Sequence, residues 1–86
     1  MEAHEAVVTV AYDGKQGELV DPVNFEATSQ DVIQMVTEAL HTGSVRGIPA
    51  YPSADLTDYV VDRFAANEEY PNRLTLRPKV PFGQLA

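Results

Sequence analysis

Apolar and β-branched side chains crowd together in Val7-Val8-Thr9-Val10-Ala11-Tyr12, and the run stops at Asp13-Gly14. That composition predicts a strand closed by a tight turn. Gly17 then ends the turn region, and Glu18-Leu19-Val20-Asp21-Pro22-Val23-Asn24-Phe25 reads as a second extended segment that completes a hairpin. Pro22 has no N–H to give a ladder, so this second strand is expected at an edge or bulged at that point.

The spacing changes after Ala27. Val32, Ile33, Val36, Ala39 and Leu40 recur at the 3.6-residue period and form one stripe of a helix. Thr28, or Ser29 as the alternative, supplies the N-cap, and Asp31 puts negative charge in the first turn, where the helix dipole favours it. His41 falls in the last turn, and Gly43 is the left-handed stop. A connector broken by Gly47, Pro49 and Pro52 follows, with room for one short extended piece. Leu56, Tyr59, Val60 and Phe64 then stand at i, i+3, i+4 and i+8 behind Asp55, which predicts a second short amphipathic helix ending near Asn67. In Arg73-Leu74-Thr75-Leu76-Arg77 apolar and polar residues alternate, so the last element is a strand. Beyond it, Pro78 and Pro81 bias the backbone to an extended path.

This order predicts the α+β class. A hairpin, a helix and a returning strand bury one apolar face if the helix lies across the sheet and the last strand runs beside the first and parallel to it. That is a β-grasp: hairpin, helix, connector with second helix, final strand. The expected core is Val8, Val10, Tyr12, Val32, Ile33, Val36, Leu40, Leu74 and Leu76, or the opposite strand face if the register shifts by one. The division is a flexible leader over 1–6, the domain over 7–77 and an extended tail over 78–86.

Several segments occur in the order seen in ubiquitin. They are the start with Val7, Thr9 and Val10, the Gly-bearing hairpin, Phe25-Glu26-Ala27-Thr28-Ser29 leading into Val32 and Ile33, Gly47-Ile48-Pro49, Leu56-Thr57-Asp58-Tyr59 and Leu74-Thr75-Leu76-Arg77. The chain thus resembles ubiquitin-like proteins over nearly its whole length. It departs from them in a shortened middle, in a single glycine near the end and in Phe82 before that glycine. The resemblance implies a protein modifier or its precursor. Gly83 would become the reactive terminus once a processing protease removes Gln84-Leu85-Ala86, and an adenylating enzyme would activate its carboxylate. Phe82 would seat in a pocket of that enzyme, with Arg77 and Lys79 pairing with its acids.

Composition narrows the alternatives. The 86 residues suit one domain, and 44% hydrophobic with 22% charged residues is ordinary globular composition. Without cysteine there is no disulfide, thiolate nucleophile or zinc–thiolate site. The acidic N-terminus and the lack of a long apolar run point to a cytoplasmic protein with no membrane partner. Net charge is −7, and Arg73, Arg77 and Lys79 follow a body that holds all thirteen acids against Lys15, Arg46 and Arg63. Such a body argues against nucleic-acid binding, which needs clustered cations.

No chemistry is legible. His4 and His41 are the two histidines, one in the leader and one at a helix end, and no metal spacing, phosphate-binding glycine loop or nucleophile–base pair is present. No enzyme activity, cofactor or metal is therefore expected. Two further readings stand beside the modifier: a non-catalytic β-grasp module that docks protein partners, and an acidic mimic of nucleic acid that occupies a DNA-binding protein.

Overall fold

The computed structural model describes residues 2–79. Strand β1 (Glu5–Tyr12) begins ahead of the residue-7 start read from the sequence, and Ala6 is buried. At its far end Tyr12 pairs with Lys15, so the hairpin loop is Asp13-Gly14 alone. Both loop residues have positive φ, 52° and 73°, as a type I′ turn requires, and Asp-Gly is a pair that accepts it. Strand β2 (Lys15–Leu19) therefore starts immediately after the turn, and Gly17 lies within it. A Cβ on Gly17 would stand 2.6 Å from the Arg46 carbonyl oxygen and from Val45 Cγ1. The bare backbone lets strand β4 (Val45–Arg46) close over β2. Pro22 falls in the break between β2 and β3 (Val23–Asn24), and β3 pairs with the start of β1. The long second strand expected over residues 18–25 is thus two short pieces.

Helix α1 (Ser29–Thr42) has Thr28 as its N-cap, with Thr28 Oγ1 accepting from the Asp31 amide at 3.1 Å. Gly43 stops it at φ 75°, its N–H turned back to the Ala39 and Leu40 carbonyls. Val32, Val36 and Leu40 are buried, and Ile33 and Ala39 pack at the margin.

The second helix expected over residues 55–67 is not present. Asp55 Oδ1 accepts from the Thr57 amide at 2.9 Å and from the Thr57 hydroxyl. This is an Asx turn, which resembles a helix N-cap in sequence. The chain then enters strand β5 (Tyr59–Phe64), which pairs antiparallel with β6 (Asn72–Pro78). The hairpin–helix–second-helix arrangement is corrected accordingly. Among the described residues, one helix packs against a mixed sheet of order β4-β2-β1-β6-β5, in which β6 is parallel to β1. This topology fits a generic β-grasp loosely.

The core lies between α1 and one face of the sheet. Ala6, Val8 and Val10 of β1 and Leu74 and Leu76 of β6 meet Val32, Val36 and Leu40, while Val45, Ile48, Ala54 and Leu56 close the connector side. Tyr12 is only partly buried. Arg63, at the rim of the inner face of β5, donates to the carbonyls of Phe25 (2.8 Å) and Ala27 (2.6 Å) and fastens the segment that leads into α1. Among the described residues, the opposite face of the sheet carries no helix. Among the described residues, no helix is long and apolar enough to cross a membrane.

Candidate functional site

Of the four residues singled out in the tail, Arg77 and Lys79 are described, while Phe82 and Gly83 lie outside the described residues. Arg77 belongs to β6, and its Nε donates to Asp62 Oδ2 on β5 at 2.6 Å. Its acidic partner is thus inside the domain. Such an exposed pair is worth only about 0–1 kcal/mol, so it does not prevent exchange for another carboxylate. The Lys79 side chain is exposed, and its backbone N–H donates to the Asp58 carbonyl at 2.8 Å, which holds the chain where it leaves β6.

Because β6 is parallel to β1, its C-terminal end lies at the hairpin-turn end of the sheet. Three tyrosines gather there. Tyr12 and Tyr51 meet edge to face at 5.1 Å, and Tyr12 and Tyr59 lie 6.4 Å apart. From the connector, Tyr51 donates its hydroxyl to Asp13 Oδ2 at 2.7 Å and accepts from Lys15 Nζ at 3.1 Å. The Tyr51 hydroxyl, and after it Lys15, holds the Asp13 carboxyl below the usual carboxylate range. The same hydroxyl, followed by Asp13, raises the Lys15 ammonium. Burial first, then Tyr12, raises the Tyr59 phenol. The cluster ties turn, connector and edge strand together at the point where the chain exits.

The histidines do not converge. His41 Nε2 bonds the Ala54 carbonyl at 2.9 Å, so that nitrogen carries the proton and staples α1 to the connector. His4 contributes its carbonyl to the Phe25 amide at 2.8 Å. Among the described residues, no group of three His, Asp or Glu side chains is placed to hold a metal ion.

The sequence reading missed the open face of the sheet. One cross-strand row runs Arg46, Glu18, Thr9, Thr75, Asp62 over five strands, with Thr9 Oγ1 and Thr75 Oγ1 3.2 Å apart. In the next row Arg73 sets its guanidinium over the Phe64 ring, 4.8 Å from the centroid. Between them is a depression of about 450 Å³ lined by Thr9, Gln16, Glu18, Arg46, Arg73 and Thr75, among others. The alternation Arg73, Thr75, Arg77 in β6 was the signal: these are the residues left facing outward once Leu74 and Leu76 turn inward.

In comparisons with known proteins, no family model, no curated protein and no solved structure matches the chain.

Proposed function

We propose that the chain is a ubiquitin-like protein modifier in precursor form, recognised by partner enzymes through the segment that follows β6. One observation carries this reading: β6, flanked by β1 and β5 and parallel to β1, delivers the chain to the hairpin-turn end, where Lys79 is the last described residue. The sequence continues Val80-Pro81-Phe82-Gly83-Gln84-Leu85-Ala86. Hydrolysis of the Gly83–Gln84 peptide bond by a protease would free an unhindered carboxylate. A partner enzyme would adenylate it with ATP, releasing pyrophosphate, and pass the acyl group to a nucleophile with AMP as the leaving group. The domain itself contributes recognition and no catalytic group. Mass spectrometry of the protein expressed in its native host tests this. Gly83-ended chain and isopeptide-linked conjugates are expected, and full-length chain alone would refute the reading.

A second reading rests on β5. It is the last strand of the sheet, and among the described residues nothing pairs with its outer side. An exposed edge is a template for an added strand, so a non-catalytic interaction module would dock its partner there. Deleting residues 81–86 separates the two readings: a docking module keeps its partner, whereas a modifier loses all conjugation.

A further inference from the structure

We infer that the open face of the sheet is a docking surface for an acidic, extended segment of a partner protein, gripped at its two ends by Arg46 and Arg73. In a chain of net charge −7, the described residues provide a carboxylate within ion-pair distance for Lys15 and for Arg77. Arg46 and Arg73 have no such partner among them. The Arg73 guanidinium rests on the Phe64 ring and loses little further freedom when it meets an anion. Arg46 is exposed, and its backbone is set by the β4–β2 ladder, which brings its side chain to the same face of the sheet as Glu18 and Thr9.

The ground between them suits an extended chain. Thr9, Thr75, Ala11 and Gly17 are small, and they border the depression of about 450 Å³. Arg46 and Arg73 stand three strand spacings apart, roughly 15 Å, the span of carboxylates about four residues apart in an extended segment. Glu18, between the two arginines, sets the rest of the pattern. It repels a third acid at the centre, so the favoured ligand is acidic at both ends and neutral or basic between them. This inference does not rest on the modifier reading, because none of these residues belongs to the tail.

The experiment is an NMR titration of the isotope-labelled full chain with a synthetic peptide carrying two glutamates four positions apart and threonines between them. A counterpart with glutamine in place of glutamate is the control. Amide shifts should cluster at Thr9, Glu18, Arg46, Arg73 and Thr75 for the glutamate peptide, and affinity should fall as salt is raised. R46Q/R73Q should weaken binding about tenfold, each single variant contributing part, while K15Q, which removes a cation away from this face, should leave it unchanged. Both arginines are exposed and outside the core, so the variant spectra should otherwise match the wild type. Equal binding of the two peptides, shifts centred elsewhere, no shifts at all, or unweakened binding by R46Q/R73Q would each overturn the inference.

Discussion

The Tyr59 hydroxyl donates to the Ala11 carbonyl at 2.6 Å, joining edge strand β5 to β1 across the intervening β6. The paired register of β1 and β6 ends at Val10 and Leu76, and Pro78 beyond it has no N–H to offer. The phenol supplies a donor at that end. Tyr59→Phe should lower stability by about 1 kcal/mol in urea denaturation. Burial raises the Tyr59 pKa, so its neutral form is favoured in the folded chain. This contribution is fully present below the unfolded tyrosine pKa and is lost as pH rises through the folded value. Stability of the wild type should accordingly fall more steeply than that of Tyr59→Phe on the alkaline side.

Asp13 gives the opposite limb. Its pKa is lowered by the Tyr51 hydroxyl and by Lys15, so its contribution is present above the unfolded carboxylate pKa and disappears as pH falls through the folded value. Asp13→Asn should flatten the acid limb of the stability profile. It should preserve the turn, since asparagine also accepts positive φ. In the wild type, an NMR titration should place the Asp13 midpoint below that of an ordinary aspartate.

Gly17→Ala tests the closure of β4 over β2. The new methyl would meet the Arg46 carbonyl and Val45 side chain at 2.6 Å, and backbone cannot yield as a flexible side chain would. A loss of about 1–3 kcal/mol is expected. Hydrogen exchange should quicken first at Val45 and Arg46.

Leu40→Ala tests the core beneath the helix end. Leu40 is fully buried, and its carbonyl accepts from the Tyr51 amide at 2.7 Å. Loss of the side chain should cost about 2–5 kcal/mol. That is a large share of the stability of a domain this size, so a midpoint drop in thermal or urea unfolding is the direct check.

The first strand, the capped helix and the last strand were legible because each carries its own signal: β-branched crowding before Asp13-Gly14, the stripe Val32, Val36, Leu40 between Thr28 and Gly43, and the alternation around Leu74 and Leu76. The segment after Asp55 was misread for a physical reason. Tyr59, Val61 and Arg63 face the helix side while Val60, Asp62 and Phe64 face outward, as the pairing with β6 requires. Both sets mix apolar with charged residues, so no clean period of two survives, and the spacing of Leu56, Tyr59, Val60 and Phe64 imitates a helix. The adjacent β-branched pair Val60 and Val61 was the signal that favoured a strand. The face around Arg46 and Arg73 was beyond reach for another reason. It is assembled from strands far apart in sequence, and Arg46 joins it only through a two-residue strand made possible by the bare backbone of Gly17.

The place of β6 between β1 and β5 has a kinetic consequence. Its neighbours on both sides, β1 and β5, complete their pairing only when residues 72–78 arrive, and the β1 pairing closes a loop spanning most of the described chain. Folding should therefore be slow for a domain of this size, since the entropy of that closure is lost before the parallel pairing compensates for it. A nascent chain halted before Asn72 would hold a hairpin and a helix with no strand between β1 and β5. The same strand that leads out to the C-terminal segment is the one whose arrival completes the fold.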